Sequence, residues 1–463
     1  MPMDRMTRRD LLLGSAILTG GLIVAKTLPS LDGIAIAAEN ETATTVDPKL
    51  PTLAADWDDD FPAGRPPKRI AAIITEYRFN SHADVILGKI LEGFRHDGGP
   101  KPNLQLVSLY VDQFCADDLS RDMSRKHRFP IVPDIREALT LGTGKLAVDG
   151  VVVIGEHGDY PNNERGQKLY PRRKWITAIA AEFERLGQVV PIFSDKHLGY
   201  SRDDVAALRA LVQRQKIPLM AGSSIPLSFR SPDLQPPADG QIERLLGIGF
   251  SGIDIYGFHS LEALQCVAEQ RRGGETGIAW AEALTGDKLW QAAEAGQWPI
   301  DLVDQPLQRM PHATLPAEGW KSAAKSVADK SFDSQPVLFR FGYRDGLIGH
   351  LLMLNPLAHG IGLSVQYQGE ATARSCYFEE RGRPFPHFVC LVRAIERFMH
   401  AGVSPTPVER TWLTTGLLDA LTESLYSQGR RIETPDLAIA YQPRKEPHAP
   451  RALPKSVRES LAN

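Results

Sequence analysis

The sequence predicts an α/β half followed by an α+β half: a parallel-sheet domain, then a domain with a mostly antiparallel, open sheet. Three observations carry this expectation. Between about residues 68 and 225, short apolar runs alternate with segments of helical period. Beyond residue 337, strand-like segments follow one another through short turns, with no helix between them. The chain has 463 residues, 43% hydrophobic and 24% charged, which is ordinary for a globular protein and long enough for two cores.

The first-half strands are expected at Ile70–Ile74, Leu104–Val111, Val151–Ile154, Val189–Phe193 and Ile217–Ala221. Their near-continuous apolar character suits strands covered on both faces. A helix over Ser81–Phe94 places Ile86, Ile90 and Phe94 on one stripe. Another runs from Pro171 to Leu186 and turns Trp175, Ile179, Phe183 and Leu186 inward, with proline suited to its first turn and Gly187 to its end. Ser201 with Asp204, and Asp134 with Glu137, have the spacing of helix caps. Regular alternation of strand and helix gives a parallel sheet with helices on both faces, a Rossmann-type domain over residues 68–225.

The second domain spans residues 226–445. Its strands are expected at Val337–Tyr343, Leu347–Leu354, Ile361–Tyr367 and Ala371–Phe378, followed by helices Phe388–His400 and Val408–Ser427 and a last strand Leu437–Tyr441. Residues 446–463 form a tail. An open face on this sheet would favour a dimer or tetramer, so a homo-oligomer is expected.

The chain opens on an address. Thr7-Arg8-Arg9-Asp10-Leu11-Leu12 is a twin-arginine motif, the apolar stretch Leu11–Ala25 follows, and Ala35-Ile36-Ala37 suits signal peptidase. The stretch is short against the roughly 20 residues of a membrane span. Residues 1–37 are therefore expected to be a signal peptide that exports the protein to the periplasm, with membrane contact only in transit. Residues 38–67, rich in Pro, Asp, Thr and Ala, read as a linker or surface arm.

A net charge of −3 gives no case for nucleic acid as partner, so a small molecule is expected. Cys115, Cys266, Cys376 and Cys390 have neither metal-like spacing nor a disulfide framework, and no metal site is expected.

Chemistry gathers after Val189–Phe193, where Ser194-Asp195-Lys196-His197 puts ionisable groups at the carboxyl end of a buried strand, the place where open α/β sheets bind ligands. Glu156-His157-Gly158-Asp159-Tyr160 follows the preceding strand in the same way. Tyr170-Pro171-Arg172-Arg173-Lys174 reads as a solvated helix start, with a sugar acid or phosphate as its alternative partner.

Several motifs in order resemble the Gfo/Idh/MocA group, the glucose-fructose oxidoreductase and inositol dehydrogenase relatives, over roughly residues 68–441. They are Tyr110-Val111-Asp112, Asp149-Gly150 before Val151–Ile154, Asp195-Lys196-His197, Met220-Ala221-Gly222 and Gly257-Phe258-His259. The resemblance implies hydride transfer between a tightly bound NAD or NADP and a sugar, polyol or glycoside hydroxyl. It implies Lys196 and His259 as catalytic residues, His259 as base, and a carbohydrate-like small molecule as substrate. It places Asp112 on the adenosine ribose, with Ser81, Glu156, His157 and Asp195 lining the cofactor.

The chain departs from the family pattern at the turn after the first strand, Thr75-Glu76-Tyr77-Arg78-Phe79-Asn80-Ser81, which has no glycine. It departs again at His197, where the family has proline, and at Ile255, where the family has an acid and this chain carries Asp254 one residue earlier. Two alternatives follow. One is a dinucleotide-free carbohydrate lyase or hydrolase using Glu156, His157, Asp159 and Lys196, with a metal ligated from among these, His82, Asp195 and His197. The other is a non-catalytic carbohydrate-binding relative.

Overall fold

The first half forms a six-stranded parallel sheet built from β1 (Lys68–Ile74), β2 (Leu104–Val111), β3 (Ile131–Val132), β4 (Gly150–Ile154), β5 (Ile192–Asp195) and β6 (Leu219–Gly222). The computed structural model describes residues 64–458 apart from 238, 314, 315, 445, 446 and 456, so the signal peptide and most of the arm lie outside the described residues. The strand order is β3-β2-β1-β4-β5-β6, and its reversal between β1 and β4 opens a crevice at the carboxyl ends of the strands.

Helices α1 (His82–Glu92), α2 (Ser120–His127), α3 (Ile135–Thr140), α4 (Arg172–Leu186) and α5 (Arg202–Gln215) connect these strands. The caps expected at Asp134 and Ser201 form, accepting from the backbone N–H groups of Glu137 and Asp204, and Ser81 caps α1 in the same way by accepting from Asp84 N–H. Gly187 ends α4 in the left-handed region, φ 65°.

The second sheet has eight strands: β7 (Phe229–Ser231), β8 (Ile242–Gly249), β9 (Ile278–Thr285), β10 (Val337–Tyr343), β11 (Ile348–Met353), β12 (Ile361–Tyr367), β13 (Arg374–Glu379) and β14 (Ile432–Glu433). Their order is β14-β9-β10-β11-β8-β12-β13-β7. The sheet is antiparallel except where β8 pairs with β11, because β8 inserts between β11 and β12. The strand expected at Leu437–Tyr441 does not form. Pro435, which lacks an N–H, opens a 3₁₀ turn through Leu437, and only Tyr441 bridges to Glu275.

Helices α6 (Ile255–Ala268), α7 (Gly286–Glu294), α8 (Asp304–Arg309), α9 (Trp320–Lys325), α10 (Pro386–Ala401) and α11 (Val408–Tyr426) complete the fold. Helix α6 is buried all round from Gly257 onward, wedged between the second sheet and α11. Helix α10 was expected to belong to the second domain. Instead it packs on α1, over the first sheet, where Val389, Val392, Ile395 and Phe398 join the core of Ile70, Ala72 and Ile86. Ala452 and Leu453 of the expected tail are buried in that same core.

The outer face of the second sheet is not open. Leu246, Ile248, Leu338 and Leu352 lie beneath Trp298, Leu302, Val303, Leu307, Met310 and Trp320 from the α7–α9 region. Each side chain buried there contributes about 1.5–3 kcal/mol. Among the described residues, no helix is long and apolar enough to cross a membrane.

Candidate active site

At the end of β5 the backbone turns at Lys196, which adopts φ 65°, and its N–H donates to Gly222 O at 3.1 Å. Gly222 itself has φ +120°, and a Cβ there would stand 2.6 Å from both Glu262 Oε2 and Thr411 Oγ1, so only glycine fits. This bridge ties the ends of β5 and β6 together and sends the Lys196 side chain toward β4.

Directly after β4, Glu156 receives it. Lys196 Nζ donates to Glu156 Oε1 at 2.9 Å, and Arg172 Nη2 donates to Glu156 Oε2 at 2.6 Å. All three side chains are 3% exposed or less. Burial alone would raise the Glu156 carboxyl, but Lys196 and then Arg172 outweigh it and hold the group well below the usual carboxylate range. A buried triad of this kind fixes geometry more than it adds stability.

Arg172, in the first turn of α4, was expected in solvent. Instead it is buried, donating through Nη1 to His197 Nε2 at 2.9 Å and lying 4.8 Å above the Tyr170 ring. Only Arg173 of that basic run pairs at the surface, with Asp204.

Around this triad sit further ionisable groups. His82 Nδ1 and Asp195 Oδ2 are 2.7 Å apart, and the His82 and His157 rings lie 5.6 Å apart. His157 takes a left-handed backbone, φ 69°, and its N–H donates to the Tyr170 hydroxyl at 3.1 Å. Burial and then the neighbouring His82 lower its pKa to about 3, so it is neutral. Burial raises the Asp254 carboxyl to about 6, while Lys168 N–H donates to it at 3.0 Å.

On α6, His259 approaches from the second domain. Its Nδ1 lies 2.6 Å from Ser223 Oγ, and Ser223 is the residue after the Gly222 bridge. Ser223 N–H donates to Glu262 Oε2, and the Thr411 and Thr414 hydroxyls donate to Oε1 of the same carboxylate. The fold therefore joins Lys196 and His259 through the two adjacent residues Gly222 and Ser223.

The adenosine end is arranged differently. Asp112 ends β2 as expected, but its carboxylate accepts from Tyr110 at 2.7 Å and from Tyr160 at 2.5 Å. Tyr160 arrives on the segment between β4 and α4, whose Asp159 N–H also donates to Gln113 Oε1 at 2.8 Å. This segment straps the ends of β2 and β4 together.

Ser81 lies at the start of α1, buried, with its hydroxyl accepting from both Asp84 N–H and Arg78 N–H; it is spent on the cap. Asn80 N–H donates to Asp84, and Glu76 pairs with Arg78 in the turn. Arg383, from the second domain, covers this helix start by donating to Asn80 Oδ1 and Asp84 Oδ2. With the strap in place, the Asp112 carboxylate is taken up by Tyr110 and Tyr160 and is not free for a ribose hydroxyl.

The structure thus gathers Lys196, Glu156, His157 and Asp195, with His259 beside them, and leaves Asp112 and Ser81 engaged elsewhere. It adds Ser223 and Glu380, which sequence reasoning missed, and gives partners to Arg172 and Tyr160, which the sequence offered only within longer polar runs. Glu380, just past β13, is solvent-exposed and lies within electrostatic reach of Lys196. No sequence signal marks Ser223 or Glu380, because both act through distant partners.

Among the described residues, no three His, Cys, Asp or Glu side chains converge as metal ligands would, and none of the four cysteines forms a disulfide. A cavity of about 870 Å³ lined by Arg69, Arg128 and Glu396 lies at the amino ends of β1 and β2, away from this chemistry.

No protein-family model and no curated protein matches the chain. Among solved structures, GenD2 from gentamicin A biosynthesis, in complex with NAD, is similar over 80% of this chain and 97% of its own, at 11% identity and a TM-score of 0.51. The chain has the fold of GenD2.

Scyllo-inositol dehydrogenase from Lactobacillus casei aligns at 9% identity and a TM-score of 0.49, over 80% of this chain and 98% of its own. Myo-inositol dehydrogenase from Corynebacterium glutamicum aligns at 13% and 0.48, over 79% and 98%. What the likeness to GenD2 bears out is the two-domain fold class read from the sequence. At an identity as low as that to GenD2, chemistry has to be argued from the residues themselves.

Proposed function

We propose that this protein is an exported oxidoreductase that moves a hydride between a nicotinamide dinucleotide and a hydroxyl-bearing carbon of a sugar, polyol or glycoside. The observation that carries this reading is the placement of Lys196 and His259, tied through Gly222 and Ser223 at the carboxyl ends of β5 and β6. It is supported by the fold shared with GenD2, a protein described in complex with NAD. Twin-arginine export, expected from residues 7–37, belongs to the same reading.

When bound, the dinucleotide gives or takes the hydride. The chain's own residues do the rest. Glu156 pairs with Lys196 and aims it, and Lys196 and Arg172 together keep Glu156 ionised. The Lys196 ammonium then stabilises negative charge developing on the substrate oxygen, an interaction strengthened by exclusion of water. His259, held neutral by burial and then by the Lys196 charge, faces the same oxygen. Asp112 holds the ribose once Tyr160 has moved aside.

A second reading is favoured by the occupied Asp112: no dinucleotide binds, and the Lys196–Glu156–Arg172 group acts on a carbohydrate directly. One experiment separates the two. The purified protein is titrated with NADH and NADPH, followed by fluorescence, and then offered a panel of polyols and sugars with the oxidised cofactors. Binding, with turnover lost by 10²-fold or more in Lys196→Met, is the expected result. Absence of binding at millimolar cofactor, in the wild type and in Tyr160→Phe alike, excludes the oxidoreductase.

A further inference from the structure

We infer that Ser223 is a positioning residue that fixes His259 as the Nε2–H tautomer, so that His259 acts as a neutral hydrogen-bond donor to the substrate oxygen and not as its base. The argument is an account of hydrogens. Ser223 Oγ accepts from Ile225 N–H at 3.0 Å. Its own hydroxyl hydrogen needs an acceptor, and His259 Nδ1, at 2.6 Å, is the acceptor the structure provides.

The reverse arrangement would have two N–H groups donate to one hydroxyl whose own hydrogen then has no described acceptor. The Ser223 backbone is held by Glu262 and, through Gly222, by Lys196, and the Ile225 N–H bond holds Oγ in this rotamer. A buried, unspent hydroxyl hydrogen costs about 1–3 kcal/mol, enough to set the tautomer.

With Nδ1 accepting, the proton of neutral imidazole sits on Nε2, the ring nitrogen left for the crevice. Burial first, then the charge of Lys196 and His82, drives the His259 pKa well below its ordinary value, in keeping with a neutral ring. A neutral imidazole protonated at Nε2 can donate to a carbonyl or hydroxyl oxygen but cannot receive a proton there. His259 and Lys196 are then two donors addressed to one oxygen, an arrangement that polarises a carbonyl. As hydride adds to the carbon, the C=O π pair moves to oxygen, which takes its proton from the Lys196 ammonium; in the reverse direction the Lys196 amine takes the hydroxyl proton as the hydride leaves. The identity of that oxygen rests on the oxidoreductase reading; the tautomer does not.

The test uses the full chain labelled with ¹⁵N-histidine. Long-range ¹H–¹⁵N spectra report which ring nitrogen carries hydrogen, and the His259 signals are assigned by their loss in His259→Gln. The expected result is a protonated Nε2 and a bare Nδ1, kept in Ser223→Thr and lost to a mixture in Ser223→Ala. A proton on Nδ1, or an unchanged tautomer in Ser223→Ala, overturns the inference.

Turnover gives a second arm, since the glutamine amide of His259→Gln can still donate. Activity within about tenfold of wild type supports the donor role, whereas the 10²–10⁴-fold fall expected for a lost general base refutes it. Failure of the cofactor titration would instead remove the oxidoreductase reading and leave the tautomer standing.

Discussion

Replacing Glu156 with Gln tests the electrostatic centre of the site. The carboxylate bridges Lys196 at 2.9 Å and Arg172 at 2.6 Å with almost no contact with water. Gln keeps the volume and one acceptor but removes the charge, leaving two buried cations without their shared anion. Breaking a buried pair from one side costs about 3–5 kcal/mol. Arg172 retains the Tyr170 ring and His197, which places the expected loss toward the lower figure, about 3 kcal/mol.

The pH dependence follows from the depressed pKa of Glu156. A carboxylate whose folded pKa lies below its unfolded value stabilises the fold fully above that unfolded value, about 4.3, and loses this stabilisation as pH falls toward the folded one. The gap between wild type and Glu156→Gln should therefore be flat from pH 8 to 5. Below about pH 4.3 it should narrow by about 1.4 kcal/mol per pH unit. Urea unfolding at a series of pH values measures it. A gap under 1 kcal/mol at pH 7 would show that the triad is not electrostatically closed, and with it would go the argument for an aimed Lys196.

Tyr160→Phe removes the strap's bond to Asp112. At a half-exposed charged acceptor this is worth about 1.5 kcal/mol, so NADH should bind about tenfold tighter by fluorescence titration; equal affinity would show that the strap does not guard the ribose seat. Asp254→Asn should stabilise the protein by about 2 kcal/mol at pH 8 and hardly at pH 4. The reason is that burial raises this carboxyl to about 6, so that its ionisation penalises the fold only at higher pH. Chemical unfolding at the two pH values decides, and equal effects at both would refute the sign. Sedimentation should find a monomer, contrary to the expectation from an open sheet, because the α7–α9 region already covers that face. A stable dimer would mean that another surface associates.

The sequence by itself determined much of the scaffold. Periodicity placed β1, β2, β4, β10, β12 and α4 to within a residue or two, because their cores are local alternations of apolar side chains. Capping spacing located the starts of α3 and α5 for the same reason: a cap is a bond between residues three apart. Lys196 was legible as an ionisable group at the carboxyl end of a buried strand from its position after an apolar run.

What the tertiary structure alone decided are relations between distant residues. Glu156, Arg172 and Lys196 span 40 positions, and charge pairing across β4 and β5 turned a solvated-looking Arg172 into a buried one. Tyr160 on Asp112 spans 48, Ser223 on His259 spans 36, and α10 returns from the second half to cover the first sheet. A periodic pattern reports which face of an element is buried; it carries no information on which distant polar atom will meet which, and that is settled only when packing fixes both backbones and each buried donor must find its acceptor.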